Sequence, residues 1–340
     1  MHPLSNIALY DTLSIVVPVY NEEEVLPEFH RRTVEVLRRL AMQWEIVYVN
    51  DGSHDATIQV LHRIKRMESQ VAIVDLSRNF GKEIALTAGL DYASGAGVVV
   101  IDADLQDPPE LIPELVRLWR EGYDVVYAKR SKRDGETLLK KTTAHIFYRL
   151  MRRMSRVEIP ADTGDFRLIS RRAVDALKQL REQHRFMKGL FAWVGYRQIG
   201  VPYRRDARFA GETKWNFWKL WNFAIEGITS FTIAPLKVAS YLGVTVSAGA
   251  FAYGMWTIVK TLLFGNPVPG YPSLLVVILF LGGVQLLALG ILGEYVGRMF
   301  DESKGRPLYL VNQYTHAMFD TPSSNDPALS SSSELTRASR

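Results

Sequence analysis

The sequence predicts a doubly wound α/β domain with largely parallel strands, followed by two helices that cross a membrane. Three observations carry this. Apolar strand patterns alternate with amphipathic helix patterns from residue 13 to residue 130. The strands run into polar clusters, at Asn21-Glu22, Asp51-Gly52-Ser53 and Asp102-Ala103-Asp104, which is where open α/β sheets hold ligands. Residues 238–259 and 273–293 carry no charge, and at about 1.5 Å rise per residue each run spans the roughly 30 Å hydrocarbon layer.

LSIVVPVY (13–20) reads as the first strand, and EEEVLPEFHRRTVEVLRRL as the helix after it. EIVYVNDGS (45–53) is the second strand, followed by a helix near 55–67 and the strand VAIVDLS (71–77). A helix near 82–93 leads into VVVID, whose branched residues suit a strand buried on both faces. A helix after Pro108 and the strand DVVYAKR (124–130) complete the series.

Composition narrows the class. The 340 residues contain no cysteine, so disulfides and thiolate metal sites are excluded. The net charge of +5 suits an anionic partner, whether a membrane surface, a phosphorylated substrate or nucleic acid. MHPLSNIALYDT lacks a basic segment leading into an apolar run, so no signal peptide is expected. Lys214, Lys219 and Lys237 precede the first apolar run and Arg298, Lys304 and Arg306 follow the second, while the connection offers only Lys260. Positive flanks stay cytoplasmic, so both ends are expected there, with the GNPVPGYP hairpin outside.

VVVIDADLQDPP (98–109) holds the chemistry. In an extended segment Asp102, Asp104 and Gln106 project from one side, and three such oxygens call for a cation. The simpler reading is a helix start, with Asp107 as N-cap and Pro108 and Pro109 opening the helix, which leaves the other three unexplained. A Rossmann dinucleotide site needs a glycine-rich turn where PVYNEEE stands. Acids at the strand ends repel a bare pyrophosphate, so a divalent ion must intervene.

VVPVYNEEE (16–24), VNDGSHDAT (49–57), RNFGKEIAL (78–86) and DADLQDPPE (102–110) together resemble family 2 glycosyltransferases of the GT-A fold. DTGDFRLISRR (162–172) and the two-helix tail narrow the resemblance to the polyprenyl-phosphate branch, across residues 12–310. The resemblance implies a GT-A domain at 13–213 after an N-terminal segment (1–12), an interfacial helix at 214–232, a transmembrane hairpin at 233–299 and a cytoplasmic tail at 300–340. Beyond about Gln313 that tail is rich in serine and proline and is expected to be disordered.

It further implies that Pro18, Tyr20 and Glu22 line the nucleobase pocket, that Asp51 and Ser53 bind base or ribose, and that Lys82 belongs to the substrate site. Asp104 is implied as principal ligand of Mg²⁺ or Mn²⁺, with Asp102 on ribose or metal and Gln106 assisting. Asp165 is the candidate general base, although a phosphate monoester is largely dianionic at neutral pH and Asp165 can instead orient the acceptor; a capping Asp in a turn is the bland alternative. Arg130 and Arg133, in a basic segment interleaved with apolar residues, are candidates for gripping a lipid phosphate. Arg205, Arg208 and Lys214 fall in a segment that closes over the diphosphate. Trp215, Trp218 and Trp221 recur at helical spacing with Ile225 and Ile228, as on a helix lying in the membrane interface.

The expected reaction is inverting transfer of a hexose, foremost glucose from UDP-glucose, to undecaprenyl phosphate at the cytoplasmic face of a bacterial inner membrane. GDP-mannose, UDP-GlcNAc and an amino-arabinose donor are the alternatives. Nucleic acid is not expected as a partner, and a homo-oligomer stays open. A sugar-1-phosphate nucleotidyltransferase needs a glycine-rich first loop, and a silent membrane scaffold has no need of acids at the strand ends.

Overall fold

A computed structural model of the chain describes residues 12–130, 163–203, 234–264 and 270–318. Its sheet has eight strands in the order β7-β5-β6-β4-β1-β2-β3-β8. The centre follows the predicted alternation: β1 (Thr12–Val19), α1 (Leu26–Arg38), β2 (Gln43–Asn50), α2 (Thr57–Met67), β3 (Val71–Leu76), α3 (Lys82–Tyr92), β4 (Gly97–Val100), α4 (Ile112–Arg120) and β5 (Val125–Arg130). β1 pairs in parallel with β2 and β4, and β2 with β3. Strands covered on both faces need apolar side chains on both, which explains IVV in β1 and VVV in β4, all fully buried.

The sheet is mixed rather than simply parallel. β6 (Thr163–Ser170) runs antiparallel between β4 and β5, and β7 (Gln198–Tyr203) lies parallel to β5. DTGDFRLIS is therefore largely strand, which replaces the reading of its second acid as a turn cap. Two short helices, α5 (Arg171–Gln179) and α6 (Met187–Trp193), connect β6 to β7. One apolar cluster packs α1, α2 and α4 on one face of the sheet, and a second packs α3, α5 and α6 on the other. Gly89 lets α3 lie close on β1, since a Cβ there would sit 2.2 Å from Val16 Cγ1.

Two expectations about the acidic segment change. β4 ends at Val100, and Leu105 takes a left-handed φ of 58°, so Asp102, Asp104 and Gln106 lie on a turn, not on an extended strand. Asp107 is not a helix cap: it is 1% exposed and accepts a hydrogen bond from Tyr203 Oη, while Pro109–Leu111 forms a 3₁₀ turn ahead of α4.

α7 (Ala234–Phe264) and α8 (Tyr271–Ser303) are the two apolar helices, with stretches Leu236–Phe264 and Phe280–Ser303 long and apolar enough to cross a membrane. The expected disorder after about Gln313 does not hold through Met318, and residues 319–340 lie outside the described residues. Val311–Thr315 forms β8, antiparallel on the outer edge of β3, and Met318 N–H bonds Ser69 O at 2.8 Å. An unpaired β3 edge would be open to other chains, and β8 covers it. Cutting the chain after Arg306 is expected to lower the unfolding temperature in detergent and increase aggregation, measured by thermal melting with light scattering.

Candidate active site

The site is built where β1, β2, β4 and β6 reach one edge of the sheet. β4 and β6 are antiparallel with Val100 opposite Arg167. Two residues further on, along both segments, stand Asp102 and Asp165. Two carboxylates brought so close repel each other, and Lys82 lies between them: its Nζ is 2.7 Å from Asp102 Oδ2 and 2.6 Å from Asp165 Oδ2. Desolvation works against the ammonium, but the two acids outweigh it and raise the Lys82 pKa. Burial pushes the Asp165 carboxyl up, yet Lys82 and Lys188 more than reverse this and hold it well below the usual carboxylate range. Asp165 is thus ionised at neutral pH. Its Oδ1 is buried with no hydrogen-bond partner among the described residues.

Lys82 is the first residue of α3, and the loop before it is fixed from β2. The Asp51 carboxylate, 3% exposed, accepts the N–H groups of Phe80 (2.7 Å) and Gly81 (2.9 Å). Burial raises its pKa against these two bonds. In this geometry Asp51 holds the loop that leads into α3. Gly52, at φ 64°, lets the loop pass closely, for a Cβ there would lie 2.4 Å from the Arg78 carbonyl carbon.

The first two strand ends are tied to each other. Asn21 N–H bonds Ser53 Oγ (3.0 Å), Asn21 Oδ1 accepts His54 N–H (2.9 Å) and Glu22 N–H bonds Thr57 Oγ1 (2.9 Å). Asn21 holds a left-handed φ of 53°, which asparagine tolerates. Tyr20 meets the His54 ring edge-on at 6.3 Å. Pro18, Tyr20, Glu22 and Ser53 are all partly exposed beside this brace, so the structure brings the four together.

Asp104 Oδ1 accepts Gln106 N–H at 3.1 Å, closing a small turn that carries the acids. Among the described residues no three carboxylate or imidazole side chains converge into an all-protein metal cage. Hard oxygens from one or two Asp residues are what Mg²⁺ or Mn²⁺ takes when a substrate's phosphates and water supply the rest, so Asp102 and Asp104 fit such an ion.

Sequence reasoning missed Glu83 and Arg167. Glu83 Oε2 accepts Met187 N–H at 3.1 Å, joining α3 to the start of α6. Burial lifts its carboxyl and the Asp165 charge adds to the effect; Lys82 and Lys188 oppose it, and it stands at about 7. Arg167, 4% exposed, donates to Gly164 O (2.8 Å) and lies 3.9 Å over the Phe191 ring; burial lowers its pKa to about 10, so it remains charged. Period-two spacing from Asp165 was the available signal for Arg167. Arg130 ends β5, whereas Arg133, Arg205, Arg208, Lys214 and the tryptophan-bearing segment lie outside the described residues.

A mixed α/β sheet with acids gathered at its central strand ends defines a GT-A-like glycosyltransferase fold. The family described as glycosyl transferase family 2 matches residues 14–178, and the GtrB C-terminal hairpin matches residues 234–299. An uncharacterized glycosyltransferase of Synechocystis sp. is 59% identical over 300 residues, covering 88% of this chain and 94% of the relative. The bactoprenol glucosyl transferase of Shigella phage SfV is 51% identical over 299 residues, 88% of this chain and 97% of its own. The chain belongs to glycosyltransferase family 2. Among solved structures, glucosyl-3-phosphoglycerate synthase from Mycobacterium tuberculosis in complex with Mn²⁺, UDP-glucose and phosphoglyceric acid is 21% identical, covering 64% of this chain and 78% of that one, at a TM-score of 0.45.

Two outcomes follow from this geometry. Gly52→Ala sets a methyl group against the loop backbone and is expected to destabilise the protein by about 2 kcal/mol or more, read from denaturant unfolding in detergent. The folded state holds the Glu83 proton more tightly than the unfolded chain, so its contribution to stability declines as pH rises from 4.5 towards about 7. Glu83→Gln keeps an oxygen for Met187 N–H and escapes that decline; its melting temperature relative to wild type is expected to rise between pH 5 and pH 8.

Proposed function

We propose that this protein transfers glucose from UDP-glucose to the phosphate of undecaprenyl phosphate, at the cytoplasmic face of a bacterial inner membrane crossed by α7 and α8. The observation that carries this reading is the Asp102–Lys82–Asp165 bridge at the strand ends, in a chain similar over nearly its whole length to bactoprenol glucosyl transferases. The partly exposed face of Pro18, Tyr20, Glu22 and Ser53 receives the uridine, while Asp51 positions the loop beside it.

Asp102 and Asp104 would hold Mg²⁺ or Mn²⁺, and Gln106 shapes the turn between them and α4. Bound there, the ion neutralises charge that develops on the departing nucleotide. A phosphate oxygen of the lipid forms a bond to the anomeric carbon as the bond from that carbon to the UDP oxygen breaks. Attack from the opposite face turns an α-linked donor into a β-linked product. The electron pair leaves with UDP, and no proton has to move when the acceptor arrives as a dianion. Asp165, held ionised by Lys82 and Lys188, orients the acceptor; the same two lysines leave it too weak a base to deprotonate a phosphate monoanion.

The two apolar helices suit a substrate whose phosphate sits at the membrane surface. Arg130, Arg133, Arg205, Arg208 and Lys214 remain candidates for gripping phosphate groups of the lipid or the nucleotide, as the resemblance implies. Basic residues flanking both helices put the catalytic domain on the cytoplasmic side.

The test is labelled transfer with purified protein, undecaprenyl phosphate and a panel of radiolabelled nucleotide sugars. Lipid-borne label is expected from UDP-glucose and not from GDP-mannose or UDP-GlcNAc. Asp104→Asn is expected to fold normally and to lose about 100-fold or more in rate, because a stabiliser of leaving-group charge is gone. Absence of labelled lipid from every donor would sink the reading.

A further inference from the structure

The proposed reaction gives Lys82 no contact with either substrate. Lys82 satisfies two acids at once, and both are wanted elsewhere: Asp102 by the metal–nucleotide and Asp165 by the acceptor. A divalent ion arriving at Asp102 competes directly for the carboxylate that Lys82 holds, and two cations beside one carboxylate repel. The lysine is built to yield. Its side chain is 45% exposed on a flexible four-carbon stem, while its backbone is fixed by the bonds from Phe80 and Gly81 to Asp51.

Resting on that reading, we propose that donor loading frees Lys82 from Asp102, and that its ammonium then receives the acceptor's phosphate while staying paired with Asp165. An ammonium has three donors, so one can remain on Asp165 Oδ2 while another meets a phosphate oxygen. The acceptor is thereby drawn to the same carboxylate that orients it. Lys82 in this role is a catalytic residue of the acceptor side, coupling occupancy of the donor site to affinity for the lipid. The opposing assignment, Lys82 as a ligand of the donor diphosphate, predicts the reverse pattern of affinities.

Calorimetry with Mn²⁺ and UDP, alongside the KM for undecaprenyl phosphate at saturating UDP-glucose, separates the two in wild type and Lys82→Met. The variant is expected to bind UDP–Mn²⁺ at least as tightly as wild type, because Asp102 has lost its competitor. Its KM for the lipid is expected to rise tenfold or more, and Lys82→Arg to recover part of that loss. Lys82→Gln, which keeps polar contacts to both acids, replaces Lys82→Met if the latter does not fold. Weakened UDP–Mn²⁺ binding, or an unchanged lipid KM, would overturn the role of Lys82 while wild-type transfer leaves the parent reaction standing. A wild-type protein that neither binds UDP–Mn²⁺ nor labels lipid would overturn both.

Discussion

Two carboxylates brought close just beyond the last β4–β6 pair repel unless a cation or a proton offsets one charge, and the ammonium of Lys82 between Asp102 and Asp165 satisfies that constraint. The acids come from one layer and the lysine from another. Antiparallel insertion of β6 beside β4 fixes the separation of the acids. The lysine is delivered by α3, whose start depends on Asp51 at the end of β2 and on the close passage that Gly52 permits. Sheet order, loop path and helix start therefore depend on one another. A shift in any of them leaves charge uncompensated at the same point.

That point is also mechanically connected to the apolar helices. Near the end of α8, Asp301 lies 3.1 Å from His184 Nε2, and Glu302 accepts Gln183 N–H at 2.7 Å. The chain then returns to the catalytic sheet through Tyr309 on Asp91 (2.8 Å) and through β8. Gln183 and His184 lie just ahead of Met187, whose N–H is held by Glu83 beside Lys82. The membrane anchor is thus not a loose tether; it ends in contacts a few residues from the site. For a substrate whose phosphate rests at a fixed depth, the height of the site above the lipid decides whether the reacting atoms meet.

Much of this was legible in the sequence, for physical reasons that also mark where reading failed. Branched apolar runs in β1, β2 and β4 cannot be satisfied on a half-exposed surface, so they announced central strands, and their polar ends announced the ligand edge. The uncharged runs 238–259 and 273–293 announced the two apolar helices by their length. The turn at 103–107 was not legible, because the left-handed φ at Leu105 falls on a residue that rarely adopts it. Asp107 looked like a cap because its partner, Tyr203, is distant in sequence. β8 was hidden for the same reason: VNQYT is short, stands in a polar tail, and pairs with the β3 edge, far away in sequence. Glu83 was passed over since an acid in the first turn of a helix has a sufficient local explanation.

The charge balance of the site explains why these features belong together. Among the described residues, Asp102, Asp104 and Asp165 bring three negative charges to this edge, and Lys82, Arg167 and Lys188 bring positive ones near them. Arg167 is turned inward, its guanidinium on the Gly164 carbonyl and the Phe191 ring, while Lys82 stands on a flexible stem between two of the acids. Such an edge repels a naked diphosphate and admits one that travels with a divalent ion. The ion and the diphosphate offset each other's charge, so on the proposed reading donor loading leaves the sum at this edge unchanged and alters instead which partners hold Lys82. On that reading donor precedes acceptor because the ammonium of Lys82 reaches a second anion only after Asp102 has let it go.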